Sequence, residues 1–319
     1  MNQTDVVHFL YGISDYFYVK TKYKLAVYSI KDLEKLCGIK AHTLRVWEQR
    51  YGIVKPQRSK TNIRYYEDED LKKLLNISLL NRNGIRISKI AKMSPDEINE
   101  KVSTFSAVNF EPGTQLDALT LSMIEMDESK FDRIISTNIN QYGFEKTMLE
   151  VIHPFLEKAG LLWLTGSLKP IQENFMSYLV RQKIITAIDK VAIAPDNNTK
   201  TFMIYLPEGE SQELSLLFVN YLIKQRGHCV IYLGLNTSLN DLTDACSIKR
   251  PDFIFTMITE TYSSQPIQDY VDELSKAFDE STILISGYQV VAQRVPTCGN
   301  VRVLLGLEDM IRFIDKVKA

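Results

Sequence analysis

From residue 199 onward, five short apolar runs ("TFMIYL", "CVIYLG", "DFIFTMI", "TILISG" and "VRVLLG") alternate with longer amphipathic stretches. The stretches are "ELSLLFVNYLIKQRG", "LNDLTDACSIKR", "IQDYVDELSKAF" and "LEDMIRFIDKVKA", with apolar residues at three- and four-residue intervals. Strands separated by helices cannot be joined by tight hairpins, so they pair in parallel. Their nearly unbroken apolar character means that both faces are covered. The alternation predicts an open, five-stranded parallel sheet with helices on both sides over residues 199–319.

The rest of the chain reads differently. Residues 113–192 carry four helical patterns in a row: "QLDALTLSMIEM", "ESKFDRIISTNINQY", "FEKTMLEVIHPFLEKAGLLWL" and "IQENFMSYLVRQKIITAIDKV". Short connections between them predict a four-helix bundle. Residues 28–97 hold shorter amphipathic helices punctuated by Gly38, Gly52 and Gly84. Pro95, Pro112 and Gly113 break the periodicity between these two regions and predict a linker. The expected organisation is multidomain α and α/β: an extension over 1–27, a small helical domain over 28–97, the bundle, and the sheet domain.

Charge separates the regions further. The chain holds 38 Lys and Arg against 39 Asp and Glu, yet between Tyr28 and Tyr66 nine cations face three anions. A basic module on an acidic remainder suggests a polyanionic partner. Cys37, Cys229, Cys246 and Cys298 are scattered without a C-x-x-C pair, which argues against a disulfide framework or a zinc site and for reduced cytosolic thiols. The opening "VVHFLYGISDYFYV" contains Asp15 and lacks a basic leader, so it reads as an extra packed segment or a consequence of start-site choice, not a signal peptide. No run reaches membrane-spanning length. A cytoplasmic protein is the expectation, with no catalytic or metal-ligating constellation in the sequence.

In "YSIKDLEKLCGIKAHTLRVWEQRYG", one short helix ends at Gly38 and another starts near Ala41, which is helix-turn-helix spacing. On the second helix Leu44, Trp47 and Tyr51 fall on one side, although Tyr51 is equally suited to offering its hydroxyl to a phosphate. His42, Thr43, Arg45, Val46, Gln49 and Arg50 are left facing outward, as a recognition helix requires. Directly afterwards, "KPQRSKTNIRYYEDEDL" interleaves Lys55, Arg58, Lys60 and Arg64 with Tyr65 and Tyr66, a composition suited to a β-hairpin wing on a phosphate backbone.

The ordered pair "TLRVWEQRYG" and "IRYY" resembles the MerR-type winged helix-turn-helix. The resemblance implies double-stranded DNA as partner and a homo-oligomer on a repeated site. It assigns the contacts to His42, Thr43, Arg45, Arg50, Tyr51, Arg58, Lys60, Asn62, Arg64 and Tyr66. A protein partner that covers the basic wing is a further expectation.

The order of a MerR-type head, a bundle and a flavodoxin-like sheet resembles the cobalamin-binding, light-responsive repressors of carotenoid genes. In that family a W-x9-E-H element caps cobalamin from the bundle, and an E-x-H or D-x-H-x-x-G element binds cobalt from the sheet domain. Here Trp163 and Glu173 keep the first spacing, but Asn174 stands where histidine would follow. In the second element Glu210 remains, Gln212 replaces histidine and Ser215 replaces glycine. Gly287 survives in "SGYQ", whereas Tyr288 would place a ring where the nucleotide tail enters. An amide is a poor substitute for imidazole as a neutral nitrogen donor. The reading is therefore a MerR-type regulator, expected to be a repressor, without a cobalamin cofactor. Trp163, Phe175, Tyr178, Tyr262 and Tyr288 are expected to fill the crevice instead. The alternatives are a working cobalamin photosensor, a corrinoid-carrying methyltransferase or mutase module, and an architectural DNA protein without a signal.

Overall fold

The computed structural model describes the chain except residues 1–27, 59–63, 109–111, 165–168, 193–194, 197, 260–265, 297–298 and 319. The N-terminal extension, Lys60, Asn62 and Tyr262 thus lie outside the described residues. Two compact units divide between Leu179 and Val180.

The first unit opens with α1 (Ile30–Cys37) and α2 (Ala41–Tyr51), followed by the paired β1 (Gln57–Arg58) and β2 (Arg64–Tyr65). Next come α3 (Asp68–Arg82), the single turn α4 (Ile87–Ile90) and α5 (Pro95–Val108). The stretch expected to be a linker is therefore largely helical. Its proline stands at the first helical position, where no backbone donor is needed. Ser94 and Glu97 close that end reciprocally, at 2.8 and 3.2 Å. Pro112 likewise opens α6 (Pro112–Glu125).

The unit continues with α7 (Glu128–Tyr142), the turn α8 (Phe144–Thr147), a π-helical turn over Met148–Ile152, and α9 (His153–Leu164). It ends in the first half of α10 (Pro170–Asp189). Its centre is α3, where every residue from Leu74 to Leu80 is buried. A helix is apolar nearly all round only when neighbours cover it on several sides. Here α1, α5 and α6 do so. Each of its fully buried leucines contributes about 1.5–3 kcal/mol relative to exposure.

The second unit is the parallel sheet that the alternation predicts. Its strands are β3 (Thr201–Pro207), β4 (Cys229–Thr237), β5 (Phe253–Met257), β6 (Thr282–Ser286) and β7 (Val301–Val303). The order is β4-β3-β5-β6-β7 with every pairing parallel, the flavodoxin-like arrangement. The helices are α11 (Glu213–Gln225), α12 (Leu239–Ile248), α13 (Ile267–Ala277), the short α14 (Tyr288–Ala292) and α15 (Leu307–Lys318).

Alternation along β3 sends Met203 and Tyr205 to one face, where they join Leu242, Ile254, Val271, Leu274 and Ile283. Phe202 belongs to the other face, stacked on Phe253 at 4.7 Å, and Phe313 of α15 meets Phe253 edge-on. The backbone after β6 turns sharply at Gly287 (φ +114°), and a Cβ there would overlap the carbonyl of Ile258. Only glycine satisfies both constraints. No helix of the described residues is long and apolar enough to cross a membrane.

Candidate nucleic-acid interface

The head is built around the turn between α1 and α2. Gly38, at φ +68°, ends α1 in the left-handed conformation that glycine adopts freely. The Glu34 carboxylate accepts from the Ala41 amide at 3.1 Å and from Lys40 Nζ at 3.0 Å, so α1 caps the start of α2. The Lys40 hydrogen bond, reinforced by the Ala41 amide, holds Glu34 below the ordinary carboxylate range. At the other end Gly52 closes α2 in the same left-handed conformation.

Leu44 and Trp47 are buried beneath α2. Ile53 and Val54 are buried just beyond it. His42, Arg45, Val46, Gln49 and Arg50 remain exposed on its outer side. Thr43 is half-buried, with its hydroxyl 3.2 Å from His42 Nε2. Tyr51 is also half-buried, with the Arg50 guanidinium 5.8 Å from its ring centroid. The exposed set combines side chains able to donate in pairs with one apolar side chain, Val46, among them.

In the wing, Arg58 and Arg64 stand directly opposite each other. Like charges at opposed positions of a ladder are unfavourable unless an anion joins them. One such anion is internal, because the Arg64 guanidinium lies 3.7 Å from the Glu48 carboxylate of α2. That pair ties the wing to the recognition helix. Arg58 is exposed on the adjacent strand.

One expected DNA contact falls away. Tyr66 is 1% exposed and pairs with Tyr28 through two backbone hydrogen bonds of 2.8 and 2.9 Å. Burial, reinforced by the nearby Glu48 carboxylate, pushes its hydroxyl up. The "RYY" pattern places Tyr65 toward the surface and sends Tyr66 inward, since adjacent residues of a strand point to opposite sides.

In the sheet unit, Glu210, Gln212 and Ser215, the positions that the cobalamin resemblance singles out, are all buried just after β3. Glu210 is buried, and its Oε1 accepts from the Thr259 amide at 2.8 Å. Gln212 is 2% exposed at the head of α11, and Ser215 is buried one turn later. Gly287 serves the close approach of the chain's own backbone described above. Alongside, the Tyr205 and Tyr270 hydroxyls lie 2.8 Å apart. Desolvation pushes the Tyr270 phenol up to about 12.

Among the described residues of the sheet unit, the one histidine lies elsewhere. His228 precedes β4, at the opposite end of the strands, and its Nδ1 accepts from the Lys200 amide at 3.3 Å. His153 opens α9, with Glu157 3.6 Å away. Among the described residues no group of three or more His, Cys, Asp or Glu is placed to hold a metal ion. In the first unit Glu173 accepts from the Ser177 hydroxyl at 2.6 Å and Asn174 is exposed, while the Trp163 side chain lies outside what is described.

Of the aromatics expected to fill the crevice, Tyr178 is 57% exposed and Tyr288 50% exposed, each within its own unit. Tyr288 stands at the first position of α14, just beyond the end of β6.

An exposed, donor-rich second helix on a helix-turn-helix, followed by a basic wing, defines a DNA-binding transcriptional regulator. Residues 28–97 match the MerR HTH family regulatory protein model, which gives this regulator a MerR-type head. It is 24% identical to the HTH-type transcriptional repressor CarH of Myxococcus xanthus, over 90% of this chain and 97% of that one. Identity to the repressor CarA of the same organism is 23%, over 81% and 85% of the two chains. A solved cobalamin-binding protein from Desulfitobacterium hafniense DCB-2 aligns at a TM-score of 0.32 with 13% identity. That alignment spans 63% of this chain and 98% of that one, and is too slight to bear on function.

Proposed function

We propose that the chain is a sequence-specific repressor, acting as a homo-oligomer on a repeated or palindromic operator, that carries out no catalysis. Base readout falls to Arg45 and Gln49, with Val46 against a thymine methyl, while Arg50, Arg58 and Arg64 meet phosphates. The observation that carries this reading is the division of α2, with Leu44 and Trp47 buried and Arg45, Val46, Gln49 and Arg50 all exposed. The Arg45, Arg58 and Arg64 triple alanine variant should lose about a hundredfold or more of operator affinity in a gel shift. Unchanged affinity in that variant would refute the reading.

The sheet unit, in the same proposal, holds no cobalamin. The residue at the lower cobalt position is Gln212, a buried amide. Its neighbour Glu210 is engaged with the Thr259 amide. Neither offers cobalt a neutral imidazole nitrogen, and the donor set does not fit the group. Protein mixed with adenosylcobalamin should leave a desalting column colourless. A red protein with one cobalamin per chain would reject this part of the proposal.

A further inference from the structure

At the end of α1, beside the turn that leads into α2, lies an ionic cluster around a buried carboxylate that the proposed DNA-reading surface does not use. Asp117 of α6 is 2% exposed. Its Oδ1 accepts from Lys158 Nζ of α9 at 2.8 Å, and its Oδ2 from Arg82 Nη1 of α3 at 3.2 Å. The same guanidinium donates through Nη2 to the Cys37 carbonyl at 3.2 Å. Ser78, one turn earlier on α3, donates to that carbonyl at 2.8 Å and lies 3.4 Å from Asp117 Oδ2. Cys37 is the last residue of α1, so its carbonyl is one of those that a helix leaves without an internal partner. The turn that launches α2 begins at the next residue.

Two glycines make room for this arrangement. A Cβ on Gly38, in that turn, would collide with Arg82 Nη2. A Cβ on Gly113, in the first turn of α6, would stand 2.6 Å from Arg82 Nη1. The guanidinium is thus held edge-on between the helix-turn-helix turn and α6, and it addresses a carboxylate and a carbonyl at once. Lysine has no planar fork and could not do both. Burying a carboxylate between cations brings little net stability, because desolvation offsets the attraction. Such a cluster is better suited to fixing one geometry among several.

We propose that Asp117 is a positioning residue for DNA reading: with Arg82 it sets the angle at which α2 leaves the turn, and through Lys158 it ties that angle to α9. The proposal rests on α2 being the reading helix. A displacement of α9 reaches the recognition helix along Lys158, Asp117, Arg82 and the Cys37 carbonyl. Every link in that path is an observed hydrogen bond or ion pair.

Two variants of the full chain test it, Asp117→Asn and Gly113→Ala. Alanine is the better helix former, so Gly113→Ala leaves α6 favoured while pushing the guanidinium aside. Hydrogen exchange at the amides of residues 44–51, measured without DNA, should speed up in both variants while those of α7 stay as they are. Affinity for an operator selected with the wild-type chain should fall about tenfold or more, a typical size for coupled sites. The salt slope should not change, since the phosphate-binding cations remain. If Asp117→Asn does not fold, Gly113→Ala decides. Wild-type exchange and affinity in the folded variants would overturn the proposal. Faster exchange with full affinity would also overturn it, leaving a merely structural cluster. Should the wild-type chain select no DNA while exchange still quickens, the DNA-reading proposal fails and the joint stands.

Discussion

The head and the sheet unit treat their polar side chains in opposite ways. On α2 and the wing, Arg45, Gln49, Arg50 and Arg58 are presented to solvent, and the like-charged Arg58 and Arg64 face each other. At the carboxyl ends of the strands Glu210 and Gln212 are buried instead. There Glu210 is bound to the chain's own backbone, and the Tyr205 and Tyr270 hydroxyls to each other. Outward polar groups on a basic module point to a partner. Inward groups held by the chain itself, as Glu210 Oε1 and the two tyrosine hydroxyls are, belong to a core. The difference fits the proposal that the head is the part that addresses another molecule.

Substitutions in each region sharpen that contrast. The largest effect is expected at Tyr66, whose truncation to alanine should cost about 3–5 kcal/mol of stability in denaturant unfolding. A smaller cost, with DNA affinity lost instead, would return Tyr66 to the interface. Gly287→Ala follows, at about 2–3 kcal/mol, because the left-handed backbone and the Ile258 carbonyl both exclude a Cβ. Its folded fraction should bind the operator as the wild type does, since the strain lies in the sheet unit. Arg58→Ala should leave stability alone and weaken every DNA sequence alike, lowering the salt slope by about 1. A selective loss at one operator base pair would make Arg58 a reader of sequence.

The smallest effect concerns pH. Burial pushes the Cys37 thiol from its ordinary 9 up to about 12. The unfolded chain would release this proton from about pH 9 upward while the folded chain retains it. The contribution to stability is therefore whole below pH 9 and is lost as pH rises toward 12. Urea unfolding across that window should show the fall, and Cys37→Ala should flatten it. An equal fall in the variant would assign the titration elsewhere.

Much of this was legible in the residues. Periodicity alone gives the alternating strands and helices of the sheet unit, because strands buried on both faces leave apolar runs that no surface element would carry. The division of α2 also follows from spacing, since Leu44 and Trp47 are three residues apart. The helix over Pro95–Val108 was hidden by reading proline as a break when it stands at a helix start. Tyr66 was misplaced because a two-residue strand shows no alternation to fix its register. The cluster at Asp117 joins residues 35 to 45 positions apart along the chain, and no local pattern announces such a contact. Only Gly38 and Gly113 hinted at it, each explicable on its own as a turn or a helix end.

The most direct test is an operator-binding isotherm for the purified chain, taken in darkness and after illumination, with and without adenosylcobalamin. The account predicts tight, sequence-specific binding and four superimposable curves, because the proposed reading surface is α2 with the wing and neither Glu210 nor Gln212 offers cobalt an imidazole. A shift of tenfold or more on adding cobalamin or light, a coupling of about 1.4 kcal/mol, would contradict it.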